Sequence, residues 1–290
     1  MAQKLINRPS LFGFSVQTMG VLEPRLDRFS VDPSTPAPIR WGDPVKQIAG
    51  GTIVRCVPAD TLCLGFAATG QNNVLPLSIA SAPLLTDTGG RPLVSVYLAD
   101  ALTIFTGETI IAPAQPQVLQ THDLQYAIPD TLAPAPTVAN IGVAGTTTYS
   151  YTVGALTAVG ETLPGVAGTT ATGNAALTAA NYNLLTIPAT ARAASYNVYR
   201  AGLLIGSVGA TTAGGSATFK DIGQPVVSGV PATVNMTGWL VNNVAQATNL
   251  LQIRSIDTKP IQPFINTATL GAVMFAITAA KSQVQNIAGS

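Results

Sequence analysis

Charge is what this 290-residue sequence has least of: Asp, Glu, Lys and Arg make up 9% of it, against about 25% in ordinary soluble domains. Thr, Ser, Asn and Gln, among much Ala and Gly, supply the polarity instead, the composition of β-rich extracellular and virion proteins. With 14 basic against 13 acidic residues and a net charge of +1, there is no electrostatic footprint for a phosphate backbone, so nucleic acid is not an expected partner. Histidine occurs once, as His122, and cysteine twice, as Cys56 and Cys63. That is too few for a disulfide framework or a His/Cys metal site. The two cysteines are expected as buried free thiols in preference to a hairpin disulfide.

Long apolar runs are missing too. Mean hydropathy is +0.36, yet polar residues, Pro or Gly interrupt every stretch before the roughly 18 residues a membrane helix needs. No membrane partner is expected. Met1 to Phe14 has no apolar h-region or small-residue cleavage site, which sets the expectation against secretory export.

What is present reads as strands and turns. From Leu11 to Pro44 the chain is punctuated by Pro24, Pro33, Pro36, Pro38 and Pro44, which rule out a long helix and predict an extended arm over residues 1–44. Short β-like runs follow at Ile53 to Val57, Leu62 to Ala67, Val74 to Ile79, Leu93 to Tyr97 and Leu102 to Ile104, the spacing of a small barrel or sandwich. Pro129, Pro134 and Pro136 then mark a linker. In the segment from Pro134 to Gly223, Thr146 to Val153 and Ser195 to Arg200 alternate with period two, placing Tyr149, Tyr151 and Val153 on one face and Tyr196 and Val198 on another. About seven short strands over about ninety residues is the pattern of an immunoglobulin-like sandwich. The remaining runs, Trp239 to Val241, Leu250 to Ile256 and Gly271 to Ile277, are too few for a domain of their own, while Phe275 to Ile287 alternatively carries a helical apolar stripe. The expected fold is therefore all-β: a small β-barrel or sandwich base from residues 45–133 and 224–290, with an immunoglobulin-like sandwich, 134–223, inserted between its halves.

Thr146 to Val153, then Gly160-Glu161-Thr162-Leu163-Pro164, then Ser195-Tyr196-Asn197-Val198-Tyr199-Arg200 resemble the fibronectin-type-III and immunoglobulin-like modules that decorate phage structural proteins. Gly42-Asp43-Pro44-Val45, followed by Gly51 to Val57 and Gly65-Phe66-Ala67, resembles phage head-decoration or cement proteins. The resemblance implies an oligomer, often a trimer, that clamps neighbouring capsomers of the major capsid protein lattice on the virion surface and projects an accessory domain outward.

No catalytic, cofactor-binding or metal-binding constellation stands out. His122 lies in Thr121-His122-Asp123, read as a polar loop, and adjacent residues of an extended chain point to opposite sides. Gly50-Gly51 and Gly206 to Gly215 lack the Gly-Lys-Ser/Thr ending of a phosphate loop and read as turns. The expected interface residues are Phe12, Phe14 and Trp41 as apolar anchors, with Arg25 and Arg28 setting register; the alternative is that this segment packs on its own domain. Other readings are a tail or fibre component and a glycan-binding module using Tyr149, Tyr151, Tyr182, Tyr196 and Tyr199.

Overall fold

The computed structural model describes residues 14–17, 24–35, 37–69, 85–100, 103–257, 272–278 and 281–284. Phe12 and the strand expected from Val74 to Ile79 lie outside them. Among the described residues the protein is nearly all β, its strands joined in four antiparallel sheets. It divides into two compact units, one from residues 1–125 with 239–290 and one from 126–238.

In the first unit the strands, numbered in chain order, are β1 (Ser15–Gln17), β2 (Leu26–Ser30), β3 (Pro44–Gln47), β4 (Ile53–Arg55), β5 (Gly65–Ala67), β6 (Leu93–Leu98), β7 (Ile104–Glu108) and β8 (Thr121–Tyr126). After the seven strands of the second unit come β16 (Trp239–Asn242), β17 (Leu251–Asp257) and β18 (Ala272–Ile277). One sheet runs β2-β6-β5-β3-β4. Val31, directly after β2, makes a parallel bridge to Ile53 of β4 and closes the sheet into a small barrel. Alternation fills it: Val94, Val96 and Leu98 of β6 are buried with Val31, Val45, Ile53, Leu64 and Ala67, while Leu93, Ser95 and Tyr97 are turned to the outer face. The other sheet runs β1-β7-β18-β17-β8-β16, and Thr109, directly after β7, bridges in parallel to Val241 of β16. Cys56 and Cys63 are buried free thiols.

Two expectations about this unit need correcting. The described residues of 1–44 are not a separate arm, because β1 pairs with β7 and β2 pairs with β6 as integral strands. Phe275 to Ile277 is strand and not helix, since Phe275 and Ile277 pair with Ile253 and Leu251.

The second unit is a two-sheet sandwich of β9 (Thr137–Ile141), β10 (Thr147–Leu156), β11 (Gly168–Gly173), β12 (Tyr182–Ile187), β13 (Ser195–Arg200), β14 (Leu203–Gly209) and β15 (Ala217–Asp221). Its sheets are β11-β10-β13-β14 and β15-β12-β9, and Tyr151, Val153, Leu185, Ile187, Tyr196, Val198 and Ile205 fill the space between them. The period-two reading of β10 and β13 placed Tyr151, Val153, Tyr196 and Val198 correctly. Tyr199 points the other way and is buried as well, because Glu161 folds over that face and accepts its hydroxyl at 2.8 Å.

This unit is longer than residues 134–223. Ala127 donates to the Gly238 carbonyl at 2.9 Å, Ile128 donates to Thr237 Oγ1 at 3.1 Å, and Asn235 Nδ2 donates to the Ile128 carbonyl at 2.8 Å. Those bonds tie Ala127 and Ile128 to the returning chain, so the sequence around Pro129 is part of the unit and not a linker. They also hold its two ends side by side, the arrangement that lets a module sit within a loop of another.

Tyr196 is fully buried, and its hydroxyl donates to Gly215 O at 2.6 Å while accepting from Thr190 N–H at 3.1 Å. Tyr196→Ala is expected to cost on the order of 3 kcal/mol in denaturant unfolding of the sandwich. A loss under about 0.5 kcal/mol, the range of surface changes, would show that this side chain is not part of the core.

Candidate interaction surface

Of the five residues expected at an interface, Phe12 lies outside the described residues, and the other four differ in their surroundings. Phe14 is in the core of its own chain: its ring lies 4.8 Å from Phe66 and 5.3 Å from Phe275, both edge-on. The reason is the glycine opposite it, since a Cβ on Gly107 would come within 2.5 Å of the Phe14 ring. Phe14 fills the space that Gly107 leaves. Trp41 is half-buried just before β3. Arg25, just before β2, and Arg28, on it, are both exposed, and Arg25 pairs with Asp27 at 2.8 Å across a largely solvated surface, where such a pair contributes little.

The surface that stands out lies elsewhere, at the end of the second barrel where loops 109–120 and 243–250 meet. Asn243 is buried and stitches them: its side chain accepts from Ile111 N–H at 3.3 Å and donates to Ile111 O at 3.2 Å and to Gln117 Oε1 at 3.1 Å. Gln117 returns a bond to the Asn243 carbonyl at 2.6 Å. Asp123, on β8, accepts from Ala247 N–H, Thr248 N–H, Thr248 Oγ1 and Asn249 N–H at 2.7–2.8 Å, fixing the second loop.

On this stiffened frame stand apolar side chains turned outward: Leu119 and Val244, each 63% exposed, and Ile111, 47% exposed. Leu119 has φ +68°, a left-handed backbone that costs a branched residue about 1 kcal/mol or more, and its N–H is held by Ile253 O at 2.7 Å. A strained backbone that holds a leucine in water is a feature of binding surfaces. The sequence carried no signal for it, since these residues have neither periodicity nor a motif.

His122 was read as a solvated loop residue and is instead on β8, 1% exposed. Neither ring nitrogen has a hydrogen-bond partner of good geometry. Burial holds its pKa below the usual 6.5, opposed in part by backbone groups of Gln117 and Ala245 and by Asp123.

In the sandwich, the carboxylates of Asp221 and Glu161 are held by structural bonds. Asp221, fully buried, takes two bonds from Arg200 Nη1 at 2.8 Å, one from Tyr151 Oη at 2.7 Å and one from Gly223 N–H at 2.9 Å. Asn183 Nδ2 completes the network on Tyr151 Oη at 2.8 Å. Glu161 binds Tyr199 and Asn197, and burial raises its pKa. Of the five tyrosines considered for stacking sugars, Tyr151, Tyr196 and Tyr199 are buried, and Tyr182 lies under Lys220, whose Nζ is 5.2 Å from the ring centre. Among the described residues no three His, Cys, Asp or Glu side chains converge as a metal site would require.

Comparison with protein-family models, curated proteins and solved structures found no match to this chain.

The buried histidine has a measurable consequence. Above about pH 6.5 folded and unfolded chains both carry it neutral; below that value the unfolded chain takes up a proton that the folded chain resists. Stability of the first unit is therefore expected to fall as pH drops from 6.5 towards the lower folded pKa, and His122→Val should flatten that part of the profile. Thermal melts of wild type and variant at pH 8 and pH 5 measure it. An equal pH 5 loss in both would show that His122 is not the group responsible.

Proposed function

We propose that this chain is a non-enzymatic structural protein of a virus particle, a capsid decoration or cement protein, with the barrel unit docking on the capsid lattice and the immunoglobulin-like sandwich carried as a displayed module. The observation that carries the reading is the Asn243-stitched loop end. Three outward apolar side chains on a frame fixed by buried amides form a preorganised contact surface, which loses little conformational entropy on docking. Low overall charge fits a protein that works in a dense assembly, and the adjacent ends of the sandwich fit a module added to a scaffold that docks without it. Self-association through the same end into a homo-oligomer is part of the proposal. A tail or fibre location would use the same surface, and only the place of the chain in the particle separates the two.

The double variant Leu119→Asn, Val244→Asn tests it. Asn tolerates a left-handed backbone, so the first change relieves strain and the fold is expected to be as stable as wild type. Co-pelleting with particles lacking this protein should nevertheless weaken at least about tenfold, the effect of removing about 1.4 kcal/mol of contact. Wild type that fails to pellet would overturn the reading, and a variant that pellets as well as wild type would remove the loop end from it.

A further inference from the structure

The barrel unit holds two sheets whose strands, taken in chain order, follow one another round the barrel in the same sequence. In the first the strands are β2, β3, β4, β5 and β6, arranged β2-β6-β5-β3-β4 and back to β2; in the second they are β7, β8, β16, β17 and β18, arranged β7-β18-β17-β8-β16 and back to β7. Both orders read first, fifth, fourth, second, third, first. In each the closing contact is a single parallel bridge between the residue just after the first strand and the third strand.

Register agrees as well as order. Ser30 faces Leu93 and Glu108 faces Ala272, and in each case the next residue, Val31 or Thr109, closes the barrel. Counting along the fifth strand brings Leu98 and Ile277 into correspondence, and they face Gly65 and Leu251. Those two face Val45 and His122 on the second strand. Val45 in turn faces Arg55. The closing bridges match Ile53 with Val241, and hence Arg55 with Asn243, so His122 should face Asn243; the Ala127 N–H bond to Gly238 O falls on that register. The circuit closes without a one-residue slip, although a slip at any ladder would turn a strand inside out.

The matched positions explain three features that otherwise look unrelated. His122 stands where the first barrel has the core residue Val45, which is why it is buried. Gly107 stands where the first barrel has Phe29, and Phe14 supplies the missing ring. Arg55 and Asn243, both buried at the end of the third strand, each anchor the loop between first and second strands, Arg55 through Asp43 at 3.0 Å and Asn243 through Ile111 and Gln117.

We infer that the barrel unit is an internal duplication of one five-stranded barrel, that the sandwich is an insertion at the tip of the second copy's hairpin between second and third strands, and that the matching hairpin of the first copy is a second position able to carry such a module. That hairpin is the turn from Ile48 to Thr52, closed by an Ile48 N–H bond to Thr52 O at 2.9 Å. Gly50 and Gly51 take φ +91° and +80° at its tip, and a Cβ on Gly50 would meet nothing within 4 Å. This inference rests on topology and register and stands apart from the decoration reading.

The test exchanges the two hairpin tips. In a closed variant, residues 128–237 are replaced by Ala-Gly-Gly, the turn of the first copy; in a relocated variant, 128–237 is also placed between Gly50 and Gly51. Amide hydrogen exchange is read on β3, β4, β8 and β16, with a thermal melt for the sandwich. The expected result is unchanged protection of all four strands in both variants and a relocated sandwich that melts within about 3 °C of its parent. Loss of protection on β8 and β16 in the closed variant would show that the second hairpin cannot take the first one's turn, against the duplication. Loss confined to β3 and β4 in the relocated variant would overturn the second carrying position.

Discussion

The arrangement of the barrel unit depends on a hole. Where the first barrel packs the partly buried Phe29 against its core, the second has Gly107, and the space is filled by a ring from outside. Phe14 reaches in from the segment before β1, and Phe66, on the outer face of β5, packs 4.5 Å from Phe105 and 5.8 Å from Phe275. The four rings make edge-on and tilted pairs, each worth roughly 0.5–1.5 kcal/mol beyond the area they bury. They also settle assembly within the unit, because an aromatic from the first barrel is part of the second one's core. Two further ties act the same way: Arg55 lies over the Trp239 ring at 5.1 Å, and the segment after β18 packs Val284 against the first core while Gln283 exchanges bonds with the Gln47 backbone at 2.7 and 2.8 Å.

Scarcity of charge takes on a structural meaning beside these contacts. Several of the few charged side chains are spent as internal ties: Asp43 with Arg55, Lys46 with Asp60, and Asp221 with Arg200. A fully buried pair gains less than its Coulomb energy suggests, because both groups are desolvated, but removing one partner strands the other. Asp221 is sealed, Arg200 keeps 22% of its side-chain surface in solvent, and four hydrogen bonds saturate the carboxylate. Such a network fixes how the two sandwich sheets meet more than it adds stability. Other charged side chains stay at the surface, as Arg25 and Arg28 do, and exposed apolar groups such as Leu119 and Val244 help to distinguish one face from another.

Local order was legible in the sequence where the physics is local. Thr147 to Val153 and Ser195 to Val198 declared their buried faces by alternation, and the β-branched residues of Leu93 to Leu98 marked that run as a strand. Features fixed by distant residues were not legible. Phe14 reads as a loose aromatic in a Pro-rich stretch unless Gly107 is known to lack a side chain opposite it. His122 reads as a polar loop residue because Thr121 and Asp123 flank it, whereas its face of β8 is inside a barrel. The frame under Leu119 and Val244 depends on Asn243 reaching across more than a hundred residues to Ile111. The duplication escaped for a related reason: strand order and register are retained, but the residues are not, so Val45 matches His122 and Gly65 matches Leu251.

The two barrels are expected to form one cooperative body through the aromatic cluster, with the sandwich folding on its own. Native-state hydrogen exchange on wild type and Phe66→Ala measures this most directly. The variant is expected to lose protection together on β3, β5 and β6 of the first barrel and on β7, β17 and β18 of the second, while β10, β12 and β13 keep theirs. Loss limited to β5 and its neighbours, or loss that spreads equally into β10 and β13, would contradict it.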